Sequence, residues 1–428
     1  MVFGVEDATH QLTGTNFCPH QTKIGNQELE NWLATQLNPR IDFNIYEFDY
    51  EDKHFVIFRI SATRNTPVSF RGEYYIRIGS YKKRLNDHPE RERKIWLVEK
   101  QNVFENEVAK ENVSEDEVLR LLNYEKMFEL LDKNVPSSAD TILNKLKEYH
   151  FCRFEAGKWK ITNLGAILFA YNFNHFPKLS GKSVIVRKFI GTNNRNMEFE
   201  HAVRNGYAAG FEALVDFIML HTQKGEKRDV IRTNEYIYPK IAVREFVANA
   251  LIHQDFTITG MPIAIEIFSD RLSITNPGAS LNDINRLIDL PPYSRNEILA
   301  NTMLLLRFCE KRGSGIDYAI EAVEKQGLPP VKFSKGEHHT RVVMFPSKPL
   351  SEMTKEEKVM ACYQHACLTY EDNKTINNQS VRERFGIERR NSSIASRILA
   401  DTFNAGFLKQ SEPKNESKRY ASYVPFYG

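Results

Sequence analysis

Two polar side chains spaced by one helical turn give the first indication of chemistry in this sequence. Glu245 and Asn249 lie four residues apart in a segment, residues 239–253, whose pattern predicts a helix; they therefore share one face, which His253 continues. An amide oxygen can complete the shell of a magnesium ion that bridges phosphates, and a carboxylate can orient a water molecule. The spacing is consistent with nucleotide chemistry, and the alternative is a polar helix surface without a ligand.

Two glycine-containing turns follow this helix in the sequence. Glycine lets the backbone approach a ligand closely and exposes N–H groups to anions. The second turn leads into a helical pattern, so a helix N-terminus would face a phosphate. Each turn taken alone is an ordinary loop, and only the order and spacing of all three features favour a nucleotide site. The turns contain Asn276, Pro277 and Gly278, and then Arg312, Gly313, Ser314 and Gly315.

The elements that must position these residues predict an α/β multidomain protein. Strands and helices alternate in the region that holds the three motifs, and pattern changes on either side of it mark further regions. The predicted domains are an α/β domain at 1–103, a helical, winged-helix-like linker at 104–180, an α/β sandwich at 181–347, and a winged helix-turn-helix at 351–428.

The composition of the chain excludes several classes of protein. The chain has 428 residues, 41% hydrophobic and 26% charged, and a net charge of +3, so any nucleic-acid contact must come from local basic clusters. No apolar run is long enough for a membrane span and no secretory signal is present, which predicts a cytoplasmic protein. Five scattered cysteines are typical of a reduced compartment; for Cys362, His365 and Cys367, core packing is favoured over a zinc site.

Two basic clusters are candidates for nucleic-acid contact. Between residues 59 and 84 seven basic residues accompany a single acid, with tyrosines interleaved, which predicts salt-dependent and largely sequence-independent phosphate contacts. The C-terminal region carries 12 basic and 10 acidic residues, with basic and amide groups at the start of its last helix and in its wing. The alternatives are a solvated basic edge and a protein-binding winged helix. The candidates are Arg59, Arg64, Arg71, Arg77, Lys82, Lys83 and Arg84, and then Arg389, Arg390, Asn391, Arg397, Lys414 and Lys418.

Together, residues 244–256, 273–278, 294–296 and 312–316 resemble the Bergerat-fold ATP-binding domain of gyrase-, Hsp90- and histidine-kinase-type proteins, and more closely its RecG-related C-terminal branch. The resemblance implies ATP and magnesium as cofactors, with Asn249 binding the magnesium and Glu245 as the candidate general base. It also implies an adenine pocket at Asn276, where most of the family has an aspartate, and a phosphate lid at Gly313–Gly315. The candidate cofactor-binding residues are Asn249, His253, Asn276, Gly278, Arg312, Gly313, Ser314 and Gly315.

The N-terminal region resembles the AlbA-type DNA-binding domain of bacterial Schlafen-related proteins. The motifs that carry this resemblance are residues 4–7, 14, 24–26, 38–39, 67–68 and 74–80. The family usually has an acidic segment further upstream, so the domain is expected to be N-terminally incomplete. Asp7 alone does not supply the several oxygen ligands of a catalytic metal, and nuclease activity is therefore not expected. An exposed sheet edge left by the missing segment favours a homodimer.

These observations favour a cytosolic DNA-binding, ATP-binding transcriptional regulator, in which nucleotide closes the lid and shifts the flanking domains. One alternative is an ATP-dependent nucleic-acid-processing or defence enzyme with weak ATPase activity. Another is a degenerate nucleotide fold that serves as a dimerisation scaffold. Helicase activity is not expected, because the sequence has no Gly-x-x-x-x-Gly-Lys-Ser/Thr loop.

Overall fold

The computed structural model describes residues 2–7, 9–41, 43–60, 67–79, 81–92, 104–223, 236–291, 293–309, 314–411 and 421–428. The chain divides into two compact units, Met1–Val103 and Phe104–Gly428. Helices and several separate sheets are present, in agreement with the predicted α/β multidomain class. None of the described helices combines the length and the apolar character that crossing a bilayer requires.

In its described residues, the first unit contains small antiparallel sheets and one α-helix. Strand β6 lies between β1 and β5, and a second sheet has the order β4-β7-β8-β9. Strands β5 and β6 form a hairpin, with Phe43 opposite Ile60 and Tyr50 opposite Lys53. The elements are β1 (Val2–Phe3), β2 (Lys23–Ile24), β3 (Gln27–Glu28), α1 (Leu29–Gln36), β4 (Leu37–Asn38), β5 (Phe43–Tyr50), β6 (Lys53–Ile60), β7 (Ser69–Phe70), β8 (Glu73–Ile78) and β9 (Tyr81–Arg84).

The second unit begins with a three-stranded sheet and short helices. Strand β12 lies between β10 and β11, and Thr162 caps the helix that follows by accepting a hydrogen bond from the Gly165 backbone N–H. The elements are β10 (Val108–Val113), α2 (Glu115–Leu121), α3 (Tyr124–Leu130), α4 (Ala139–Glu148), β11 (Cys152–Glu155), β12 (Lys158–Thr162) and α5 (Asn163–Phe169).

A six-stranded sheet with the order β14-β13-β15-β16-β18-β17 forms the centre of this unit. Strands β13 and β15 pair in parallel and the other neighbours are antiparallel. Helix α7 packs against β16 and α9 packs against α7. The elements are β13 (Val184–Phe189), β14 (Met197–Val203), α6 (Tyr207–His221), α7 (Lys240–Ile252), β15 (Ile263–Ile267), β16 (Leu272–Pro277), α8 (Glu297–Leu305), α9 (Gly315–Lys325), β17 (Lys332–Lys335) and β18 (His339–Met344).

One continuous apolar core joins the small sheet to the large one. It extends from Ala109 to Met344, so the predicted boundary near residue 180 lies inside a shared core. The contact is tight at Gly206, where a Cβ atom would lie 2.4 Å from the backbone oxygen of Leu168. Phe173 packs edge-on against Tyr207 at 5.7 Å between ring centroids.

The last part of the unit is helical with a two-stranded sheet and a second apolar core. Cys362 and Cys367 are buried, in keeping with core packing. Glu324, on α9, contacts this part twice: His365 Nδ1 lies 2.7 Å from Oε1, and the buried Arg384 Nε lies 3.3 Å from Oε2. The elements are α10 (Lys355–Glu371), α11 (Asn378–Phe385), α12 (Ser392–Asn404), β19 (Leu408–Gln410) and β20 (Tyr423–Pro425).

Candidate functional site

A cavity of about 720 Å³ lies between α7, the end of β16 and the start of α9. Glu245, Asn249 and His253 line it from the side of α7, Asn276 from β16, and Gly315 from α9. Its volume is typical of sites for small molecules. All three sequence motifs therefore contribute to a single cavity.

Helix α7 presents the first group because one of its faces is packed into the core. Val243 and Val247 are buried there, which turns Glu245, Phe246 and Asn249 toward the cavity. Along that face the Glu245 side chain is 5% exposed, whereas Asn249 is half-buried. A buried carboxylate next to a half-buried amide places two oxygen-bearing groups one turn apart, as the spacing predicts.

Gly315 permits a close approach between α7 and α9. A Cβ atom built at this position would lie 2.3 Å from Glu245 Oε2, well inside van der Waals contact. The carboxylate therefore lies directly against the first residue of α9, at a helix N-terminus, where the partial positive charge favours an anion. Any larger residue at this position would displace the carboxylate.

His253 is neutral in this environment at physiological pH. Burial disfavours the charged imidazolium, and the nearby Arg295 cation adds to that effect, so the pKa of His253 is lowered to about 4. The ring therefore offers the cavity one hydrogen-bond donor and one acceptor without a positive charge.

Asn276 is held at the cavity wall by its neighbour. Its side chain is 6% exposed, and Nδ2 donates a hydrogen bond to the Pro277 carbonyl oxygen at 3.1 Å. Gly278 lies beside the cavity and not on its lining. Its φ of +100° is a backbone conformation that favours glycine, and a Cβ atom there would lie 2.1 Å from Arg295 Nη1.

Of the remaining predicted cofactor-binding residues, the structure describes Ser314. Ser314 occupies the N-cap position of α9 and is not part of the cavity lining. Of all the predicted site residues, Arg64, Arg312, Gly313, Lys414 and Lys418 lie outside the described residues.

Arg295 and Asn296 support the cavity. Both belong to the motif at residues 294–296, and the sequence analysis assigns neither of them a function. Arg295 lines the cavity, and its Nη2 donates to the Ala279 carbonyl oxygen at 2.8 Å. Asn296 is buried, and its Nδ2 donates to the carbonyl oxygens of Ile252 and Gln254, each at 2.7 Å. This amide thereby satisfies backbone carbonyls at the C-terminal end of α7. The sequence signal was the position of a basic–amide pair immediately before α8.

Further polar groups reach the cavity from elements that carry no motif. They are Ser280, Asn282, Tyr293, Asn301 and Thr340. Thr340 also donates its hydroxyl to the Gly278 carbonyl oxygen at 2.8 Å, which fixes the turn after β16. These residues are brought together by the fold over long sequence separations, so spacing alone gave no signal for them.

A basic surface of the first unit lies on the β8–β9 hairpin. Arg77 is paired with Lys82 and Tyr75 with Arg84, which places these four exposed side chains on one face. The Lys82 ammonium lies 4.3 Å from the centroid of the Tyr75 ring, in cation–π geometry. The hairpin therefore combines three cations and an aromatic ring on one surface.

The other candidates of this unit that the structure describes do not share that face. Lys83 is paired with Ile76 and alternates to the opposite side of the hairpin. Arg71 donates to Gln36 Oε1 at 3.0 Å and packs 5.3 Å from the Trp32 ring centroid. Arg59 is exposed on β6, in the other sheet.

In the C-terminal part, four predicted residues surround the beginning of α12. Arg389, Arg390 and Asn391 form a short 3₁₀ turn, and Asn391 is the N-cap residue of α12. Arg397 follows on the helix, and all four are exposed. Arg390 pairs with the exposed Glu388, so its charge is partly compensated.

Two family models match the chain. The family described as "Schlafen, AlbA_2" matches residues 1–86, and the family described as "Putative ATP-dependent DNA helicase recG C-terminal" matches residues 260–344. These matches confirm the two resemblances that the sequence motifs indicate. One region of the chain is therefore similar to the Schlafen AlbA_2 family and another to the RecG-related C-terminal family.

The RecG-related match covers only part of the cavity. Asn276, Gly278 and Gly315 lie within the matched residues, whereas Glu245 and Asn249 precede them. No match was found among curated proteins. Among solved structures, the crystal structure of the DIP2311 protein from Corynebacterium diphtheriae has a TM-score of 0.45 and 15% identity, over 99% of this chain and 71% of that chain.

Proposed function

We propose that this chain is a DNA-binding protein that binds ATP and acts as a transcriptional regulator. The observation that carries the proposal is the convergence of Glu245, Asn249, Asn276 and Gly315 on one cavity of about 720 Å³. The matched families supply the wider context: one is a Schlafen AlbA_2 family, and the description of the other names an ATP-dependent DNA helicase.

The lining of the cavity fits a purine nucleotide with a magnesium ion. Phe246, Ile274 and Val342 provide apolar wall for a base, and the Asn276 amide at the end of β16 is available for its polar edge. The Asn249 amide oxygen is the ligand for magnesium, a hard cation that prefers oxygen. When bound, the ion neutralises phosphate charge. The N-terminus of α9 faces the same space and favours an anionic group.

A titration calorimetry experiment with the full chain tests nucleotide binding. ATP and ADP are each titrated with and without magnesium into wild type, Asn249→Ala and Asn144→Ala, the last removing an exposed helical asparagine on α4. We expect one site in wild type and in Asn144→Ala. In Asn249→Ala we expect affinity reduced about tenfold or more, with the magnesium dependence lost. Absence of binding at millimolar ATP would leave only the scaffold hypothesis.

DNA is the proposed partner of the β8–β9 hairpin and of the start of α12. Clustered cations with an aromatic ring are suited to phosphate contact and base stacking. The C-terminal helices and two-stranded sheet are proposed to form a winged helix, with Arg389, Asn391 and Arg397 at its DNA-facing helix.

A salt titration separates this proposal from a solvated basic surface. Neutralising two phosphate contacts changes the slope of log K against log salt by about 2. We therefore expect the double variant Arg77→Gln/Lys82→Gln to show a slope shallower by about that amount. Lys23→Gln, which removes an exposed lysine of the same unit, should change it less. A wild-type affinity that does not depend on salt would contradict phosphate contact.

ATP hydrolysis is the second candidate function. It is favoured by the buried carboxylate of Glu245, on α7, which lies against the first residue of α9. A carboxylate in this place can orient and activate an attacking water. Under this hypothesis Glu245→Gln retains nucleotide binding and loses phosphate release. Turnover that persists at the wild-type rate in Glu245→Gln would exclude this residue as the base.

A further inference from the structure

We propose that the first unit binds a zinc ion through Cys18, Glu47 and His54. One potential ligand atom from each of these residues lies within 4.8 Å of the other two, and all three residues are half-buried. Thiolate, carboxylate and imidazole are ligands that zinc accepts in proteins. Among the residues that the structure describes, no second group of three such side chains meets the same distance.

The hydrogen bonding of His54 matches that of a metal-bound histidine. Its Nδ1 lies 2.9 Å from Asp49 Oδ1, while its Nε2 is buried and makes no hydrogen bond. Metal-binding histidines commonly donate one ring N–H to a carboxylate, which leaves the other nitrogen free to coordinate. Asp49 is therefore a positioning residue that turns Nε2 toward Cys18 and Glu47.

The spacing of two ligand atoms already suits tetrahedral coordination. His54 Nε2 and Glu47 Oε2 are 3.4 Å apart. Nitrogen and oxygen ligands at about 2.0–2.1 Å from zinc, at a tetrahedral angle, lie about 3.3 Å from each other. An ion therefore fits between these two atoms without separating them.

A zinc ion at this site would connect the loop that contains Cys18 to the β5–β6 hairpin. Cys18 precedes a 3₁₀ turn, Pro19–Gln21, whereas Glu47 lies on β5 and His54 on β6. The His20 backbone N–H donates to Glu47 Oε1 at 3.0 Å, and His20 Nε2 lies 3.8 Å from the same oxygen. The fourth position falls to His20 or to a water molecule. A metal here would stabilise the packing of the loop on the hairpin.

Metal analysis of the purified full chain tests this proposal. After removal of bound metal, zinc is titrated in competition with a chromophoric chelator, and the bound zinc is also counted by mass spectrometry. We expect one high-affinity zinc per chain in wild type. Cys18→Ser and His54→Gln should lose that site, and Asp49→Asn should weaken it about 10- to 100-fold. His88→Ala, which removes a half-buried histidine elsewhere in the same unit, should bind zinc as wild type does.

Cobalt substitution keeps the test valid if a variant fails to fold. Cobalt bound to a thiolate in tetrahedral geometry gives a charge-transfer band and intense visible bands, so wild type alone reports the Cys18 ligand. Absence of those bands, absence of stoichiometric zinc, or wild-type affinity in folded Cys18→Ser would each overturn the proposal. His54 would then be held by its contacts with Asp49 and Glu47 without a metal. The outcome is independent of the nucleotide cavity, which lies in the other unit.

Discussion

The depressed pKa of His253 predicts a measurable loss of stability in mild acid. Its pKa is lowered from 6.5 to about 4 by burial and by the neighbouring Arg295. Between these two values the unfolded chain binds a proton that the folded chain does not. The free energy of unfolding therefore falls as the pH drops from 7 toward 4, and this contribution is fully present only above the unfolded pKa.

The size of the effect follows from the two pKa values. Protonating a histidine of ordinary pKa at pH 5 stabilises the unfolded state by about 2 kcal/mol, while the folded state gains almost nothing. Because part of the His253 side chain is accessible to solvent, screening reduces the expected contribution to roughly 1–2 kcal/mol. His253→Gln removes the titrating group and keeps a polar side chain of similar reach. Between pH 7 and pH 5, the unfolding free energy of His253→Gln should therefore fall by roughly 1–2 kcal/mol less than that of wild type.

Urea unfolding at the two pH values, followed by tryptophan fluorescence, measures this difference. The sequence has three tryptophans, and replacing Trp32 and Trp96 by phenylalanine leaves Trp159, which lies in the core of the second unit, as the reporter. His175→Gln removes an exposed histidine of the same unit and serves as the control. If His253→Gln, His175→Gln and wild type lose the same stability between pH 7 and pH 5, the assignment of a buried neutral imidazole is incorrect.

Two further substitutions test the contacts of α9. Gly315→Ala forces the Glu245 carboxylate to move by about 1 Å, so any ATP hydrolysis should fall by about 10²-fold. The rate of phosphate release measures this loss. Gly181→Ala is the control, because a Cβ atom at Gly181 would meet nothing within 4 Å. An unchanged rate in Gly315→Ala would contradict the close contact between Gly315 and Glu245. Arg384→Met removes one of the two partners of the half-buried Glu324 carboxylate, which His365 still contacts, and should destabilise the second unit by about 2 kcal/mol in thermal or urea unfolding. The exposed Arg389→Met should have little effect, and equal effects of the two would argue against the buried pair.

Local periodicity was sufficient to predict the helix that carries the first motif. The pattern predicts a helix at 239–253, and the structure has α7 at Lys240–Ile252 with Glu245 and Asn249 on its cavity face. Val243, Val247 and Leu251 recur at helical spacing along α7 and are buried, so the local sequence determines the core face of the helix. The hairpin β5–β6 follows from the alternation of residues 43–50 and 54–60 in the same way.

Long-range contacts were not predictable from spacing. The sequence analysis treats Gly278 as a lining residue, whereas the structure uses its missing side chain to admit Arg295, 17 positions further along the chain. Strand β14 was not predicted, because four of its seven residues are exposed and its period-two apolar pattern consists only of Met197, Phe199 and Val203. The Cys18–Glu47–His54 cluster is likewise produced by the pairing of β5 with β6 and not by any sequence motif.

The continuous core of the second unit determines how this protein can be dissected. Tyr207 packs on Phe173 and accepts a hydrogen bond from Gln254, the residue just beyond the cavity helix, at 3.0 Å. A fragment starting at residue 181 would leave Tyr207 without its aromatic partner and would expose to water the side of α6 that faces α5. Such a fragment should be poorly soluble, and the shortest piece suited to studying the cavity in isolation begins at residue 104.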